Sequence, residues 1–178
     1  MARGKRAKQQ LNRVTFSDWF NEHVPHSPNA QAFRERIGSS LISKGIYRKG
    51  IGEEELARVW DTHAHEYMKV YKLQRARWHT DFLFQNVQFK GNESVLSIGC
   101  GPGLIECFLA KHRVPNGKVT AIDLSPKTIE EAKKFAQKIQ TTNIELKTES
   151  ATRMGLPENS QDRVLVINST LYDTGHLQ

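Results

Sequence analysis

Between residues 53 and 167 the apolar positions switch regularly between two spacings. Leu56, Val59, Trp60, Ala64, Tyr67, Met68 and Tyr71 recur at helical intervals, which predicts an amphipathic helix beginning at residue 53. Glu53, Glu54 and Glu55 stand at its N-terminal end and Lys69 and Lys72 toward its C-terminal end, the order that the helix dipole favours. A second helix is expected over about 75–87. After residues 88–92 the pattern changes to short apolar runs of strand length, at 95–98, 119–122, 144–147 and 164–167. Helical stretches separate them, over about 104–112 and from 126 to about 140. Ser125 reads as the N-cap of the latter, with Pro126 at its first position. Pro115-Asn116-Gly117 marks a turn. Strands alternating with helices predict an α/β protein built on a parallel sheet with right-handed crossovers.

Upstream of residue 53 the pattern weakens. Short helical stretches over 16–20 and 30–37, the latter extendable to 42, are separated by Pro25, Pro28, Gly38, Gly45 and Gly50. Charge divides at the same place. Residues 1–50 hold ten Lys and Arg against three Asp and Glu, while residues 51–178 hold sixteen of each, so the net +7 belongs to the N-terminal part. We read residues 1–52 as a basic, partly helical extension whose arm over 1–13 is solvated. Residues 53–178 form the domain, with N-terminal helices over 53–90 and an α/β core over 93–178. Apolar and charged contents of 38% and 25% fit one soluble globular unit. Cys100 and Cys107 stand seven apart with no CxxC or Cys/His cluster, which indicates neither a disulfide framework nor a zinc site. His63 and His65, two apart on a helix, point to different faces and form no metal pair. No apolar run reaches membrane-spanning length, and the basic start lacks the apolar stretch of a secretory signal. A cytoplasmic location is the expectation, with an organellar transit peptide as the alternative.

The chemistry concentrates at Ser94-Val95-Leu96-Ser97-Ile98-Gly99-Cys100-Gly101-Pro102-Gly103 and at Ala121-Ile122-Asp123. Three alternate glycines after a strand let the backbone turn sharply and approach a ligand. A carboxylate ending the next strand is placed to accept hydrogen bonds from a ribose. A dinucleotide fingerprint would need a third glycine where Leu104 stands. The pattern is instead G-x-G-x-G, which resembles motif I of the class I S-adenosylmethionine-dependent methyltransferases.

Two further segments carry the same resemblance. The run from Ser150 to Asp162 aligns without a gap on the family segment D-A-x-x-L-P-F-P-D-N-S-F-D, with Ser150 and Ala151 on its D-A and Asp162 on its final Asp. Trp60-Asp61-x-x-Ala64-x-x-Tyr67 resembles the (F/W)-D-x-x-A-x-x-Y signature of ubiquinone/menaquinone-type methyltransferases, in which an N-terminal helix covers the cofactor. The resemblance implies a doubly wound, Rossmann-like sheet of strand order 3-2-1-4, with S-adenosyl-L-methionine bound at the strand ends. It implies cofactor contacts from Tyr67, Gly99, Cys100, Gly101, Gly103, Asp123, Leu124, Ser150, Ala151 and Asn168. Ser150 replaces the family's adenine-reading Asp and lacks its charge. Backbone at Ser150 and Ala151, with Leu124 and Met154 on the ring faces, is then the expected adenine site. No catalytic base is identified.

The expected acceptor is a small molecule. Asn168-Ser169-Thr170-Leu171 is not the (N/D)-P-P-(Y/F) motif of nucleic-acid amino-methylating enzymes, and no Cys follows that strand as a nucleophile for cytosine C5. An RNA methyltransferase using the basic arm and a non-catalytic cofactor-binding remnant are the alternatives. Family members continue beyond the fourth strand, whereas the last residue here is Gln178. Strand 164–167 is apolar on both faces and is expected at the sheet edge, covered by residues 14–50 or by a second copy in a homo-oligomer.

Overall fold

The computed structural model describes residues 14–24, 51–67 and 74–167. The elements run α1 (Phe16–His23), α2 (Glu53–Tyr67), α3 (Gln74–Asn86), β1 (Ser94–Ile98), α4 (Leu104–His112), β2 (Lys118–Asp123), α5 (Pro126–Lys138), β3 (Ile144–Thr148) and β4 (Arg163–Val166). The four strands form one parallel sheet in the order β3-β2-β1-β4. Each strand lies within a residue of its predicted span, because each is an apolar run closed by a turn. The basic arm, the 30–42 stretch, Met68, Tyr71 and Asn168 lie outside the described residues.

Local chemistry sets the element ends. Ser125 caps α5 by accepting the Thr128 N–H, and Thr15 caps α1 by accepting the Asp18 N–H. Asn143 Nδ2 donates to the carbonyl oxygens of Ala110, Val114 and Gly117 at 3.0–3.3 Å, tying the end of α4 to the turn before β2. Asp162 fixes β4 beside β1 by a reciprocal pair. Its Oδ2 accepts the Ser94 N–H and its own N–H donates to the Ser94 carbonyl, both at 2.8 Å.

The core takes in more of the chain than the sequence pattern assigns to it. Phe16, Trp19, Phe20 and Val24 are buried in the same cluster as Val95, Phe108, Val119 and Phe135. Phe16, Trp19 and Phe84 surround the Phe108 ring with centroids 5.1–5.6 Å apart. Residues 14–24 therefore pack on α3 and α4 as part of the α/β unit. Residues 14–24 do not cover β4, and the remainder of the 14–50 segment expected there lies outside the described residues. That strand presents Leu165 to the core, but Val164 and Val166 are 56% and 47% exposed. A second, smaller cluster of Ile51, Leu56 and Val59, with Trp60, Tyr67 and Leu124 against it, holds α2 to the domain.

Candidate functional site

In a parallel sheet all C-terminal strand ends lie on one side, where three loops meet here. The loop after β1 turns through Gly99, Gly101 and Gly103 at φ of 70°, 55° and 73°. All three lie in the left-handed region, which explains the alternate glycines directly. Gly99 and Cys100 donate their N–H groups to the Ile122 carbonyl at 2.8 and 3.0 Å, pinning the loop to β2. Gly103 is the N-cap of α4 and supplies no side-chain cap, so the helix start stays open to the cleft. Cys100 is buried, and burial drives its thiol well above the ordinary range.

Asp123 ends β2 and stands between two loops. Its Oδ2 accepts the Gly101 N–H and its Oδ1 the Ser125 N–H, each at 2.9 Å. Burial raises its pKa, while these two donors pull it down. Each oxygen keeps a lone pair beyond its backbone bond, so the carboxylate can accept two further donors. Leu124 follows, half-buried against the small apolar cluster.

The third loop follows β3. The Ser150 hydroxyl donates to Glu53 Oε1 at 2.5 Å and accepts the Thr152 N–H at 3.1 Å. It is engaged on both counts, and Met154 is 37% exposed. Ala151 is half-buried beside it.

Helix α2 spans all three loops. A Cβ on Gly101 would lie 3.8 Å from Cδ1 and Cε1 of Tyr67, so the tyrosine ring covers the glycine loop. Trp60 meets that ring edge-on at 5.3 Å. Asp61 Oδ1 accepts the Ser125 hydroxyl at 2.5 Å and the Lys127 N–H at 3.2 Å. His65 points away from the cleft, toward Glu131 on α5 at 3.5 Å. Among the described residues no group of His, Cys, Asp and Glu is arranged to hold a metal.

Residues 95–176 match the family described as Methyltransferase domain. Residues 95–176 carry a class I S-adenosylmethionine-dependent methyltransferase domain. A Streptomyces fradiae protein, described as an uncharacterized 37.1 kDa protein in transposon TN4556, is 32% identical over 71 residues, which cover 40% of this chain and 21% of that one. The 4+2 cyclase SpnF superposes with a TM-score of 0.62 at 16% identity, over 71% of this chain and 53% of SpnF. Haemonchus contortus phosphoethanolamine N-methyltransferase 1 gives 0.52 at 20% identity, over 64% and 25%. The match thus spans about a fifth of the curated relative and about half or less of the two solved structures, which share the fold.

The fold brings nine of the ten sequence-predicted contact residues to these three loops and to the helix above them. Asn168 lies outside the described residues. Three participants escaped the sequence reading: Glu53, Thr152 and Arg153, whose partners are 97–100 residues away in the chain. The domain also carries a buried carboxyl beneath the glycine loop. Ser97 Oγ donates to Glu106 Oε1 at 2.7 Å, and Glu106 Oε2 has no partner among the described residues. Burial, aided by the nearby Asp123 charge and opposed by the Ser97 hydrogen bond, pushes Glu106 up to about 7.

Proposed function

We propose that this chain binds S-adenosyl-L-methionine across the C-terminal ends of β1, β2 and β3 and transfers its methyl group to a small-molecule acceptor. The observation that carries this reading is Asp123. It is a half-buried carboxylate bonded to the glycine loop on one side and to the start of α5 on the other, with acceptor capacity left for two ribose hydroxyls. Gly99, Gly101 and Gly103 fit the amino-acid end, since their left-handed turns bring bare backbone to the cleft. Cys100 packs beneath that turn. Leu124, Ser150 and Ala151 border the adenine end, and Asn168 enters the proposal through the family resemblance alone.

When bound, the cofactor supplies a methyl carbon already made electrophilic by its sulfonium. The residues of this chain therefore have to align the acceptor and keep water out. Tyr67 and Trp60 on α2 serve the second task by roofing the glycine loop. The same pair within Trp60-Asp61-x-x-Ala64-x-x-Tyr67 supports a small acceptor of the kind used by the quinone-type enzymes that carry this signature.

Isothermal calorimetry with S-adenosylmethionine, S-adenosylhomocysteine and NADH tests the reading. Binding of the first two with no NADH binding is expected. Tighter binding of NADH would refute it, and salt-dependent RNA retention lost on deleting residues 1–13 would replace the small acceptor with RNA.

A further inference from the structure

Helix α2 is anchored at its far end by a single carboxylate. Glu53 Oε1 accepts the Ser150 hydroxyl at 2.5 Å and the Thr152 hydroxyl at 2.8 Å, and Glu53 Oε2 accepts Arg153 Nη2 at 2.9 Å. All three donors come from the loop after β3. No donor in this set lies on the sheet itself, so the contacts hold one surface element to another.

The middle of α2 is held by Asp61, which accepts the Ser125 hydroxyl and the Lys127 N–H at the start of α5. The apolar face of α2 rests on the cluster of Ile51, Leu56 and Val59, set apart from the main core, and Tyr67 packs against both. Gly52, just before the helix, has open space around its α-carbon. The Arg153 side chain is 79% exposed and that of Glu53 25%. Exposed ion pairs are weak and screened by salt, so this fastening can open without disturbing the fold.

We propose that Glu53 is a positioning residue that latches α2 shut over the cleft and sets how long the cofactor stays bound. This rests on the reading of the cleft as an S-adenosylmethionine site. A ligand lying between the glycine loop and the loop after β3 sits under the span of α2 from Tyr67 to Glu53. It leaves only when one end of that span lifts. The Tyr67 end is held by packing against both apolar clusters, and the Glu53 end by these polar contacts beside Ile51 and Leu56 of the small cluster. The exposed polar contacts are the part of that attachment that salt and single substitutions loosen.

The test measures dissociation of tritiated S-adenosylhomocysteine in a chase with unlabelled ligand, on the full chain. Glu53→Ala is expected to accelerate dissociation by about tenfold, the loss of a charged acceptor shared by several donors. Glu53→Gln is expected to fall between the two. The ligand-free melting temperature is expected to move by no more than about 2 °C, because the contacts lie outside the main core. Raising salt is expected to speed dissociation in the wild type and not in Arg153→Ala. Should Glu53→Ala fail to fold, the double variant Thr152→Val with Arg153→Ala removes two of the three donors from an exposed loop and must also accelerate release. Unchanged dissociation in these variants, with normal wild-type binding, overturns the latch alone. A wild type that binds no S-adenosylhomocysteine overturns the proposed function and the latch with it.

Discussion

Replacing Glu106 with glutamine should convert a pH-dependent fold into one that is less so. The side chain is 3% exposed, on the first turn of α4, and its Oε1 accepts the Ser97 hydroxyl. In the folded chain burial holds its pKa at about 7, against an ordinary 4.5. Below 4.5 the acid is protonated in both states and costs nothing. Between 4.5 and about 7 the unfolded chain loses the proton and the folded chain keeps it, so stability falls as pH rises. Above about 7 the loss is complete. At about 1.4 kcal/mol for each tenfold in proton affinity, that interval amounts to about 3 kcal/mol. Glu106→Gln removes this loss while keeping shape and an acceptor for Ser97. Urea unfolding of both proteins at pH 5, 6, 7 and 8 gives two stability curves, and their difference isolates Glu106. Other shifted groups, such as His112 at about 4, titrate alike in both proteins. The variant should gain on the wild type by about 3 kcal/mol between pH 5 and pH 8. Parallel curves would show that Glu106 ionises freely in the fold and refute the argument.

Three further expectations follow from the site and the sheet. Asp123→Ala should weaken S-adenosylmethionine binding about thirtyfold by calorimetry, since it removes a charged, partly buried acceptor; a change under about threefold would remove Asp123 from the site. Gly103→Ala should lower unfolding free energy by about 1–3 kcal/mol, because φ is +73° and the new methyl would sit 3.0 Å from Ala132 Cβ; a neutral effect in denaturant titration would contradict the backbone reading. Val164→Lys combined with Val166→Lys should abolish any concentration-dependent association seen by sedimentation, and equal association in the variant would clear β4 of that role.

The sheet was legible because its strands are local events. An apolar run, a turn residue and a capping serine each act within a few positions, and that is the range over which a sequence can be read directly. The glycine loop and Asp123 were legible for the same reason, being consecutive residues with one conformational demand each. Helix α1 was not. Phe16, Trp19 and Phe20 show helical spacing, but only the packing of α3 and α4 determines that they enter the main core. Glu53 was read as a dipole-satisfying acid, which its neighbours Glu54 and Glu55 still resemble. What separates it is a loop 97–100 residues away. Ser97 and Glu106 did leave a signal, as single polar residues within an apolar strand and an apolar helix. Each interruption makes sense only when the partner nine residues away faces it across the strand–helix contact.

The order of contacts along α2 ties the fold to the site. Glu53 meets the loop after β3, Asp61 the start of α5 after β2, and Tyr67 the loop after β1. This is the order β3-β2-β1 of the sheet itself. Adjacent strands are about 4.8 Å apart, while the eight and six residues between these contacts rise about 12 and 9 Å along the helix. The helix therefore crosses the strand ends obliquely, and its side chains reach down at intervals set by the sheet. Each residue turns the helix by about 100°, so one inserted position between Asp61 and Tyr67 would aim them at different sides. The spacing of Glu53, Asp61 and Tyr67 is thus a property of the parallel sheet, written into a helix that contributes no strand to it.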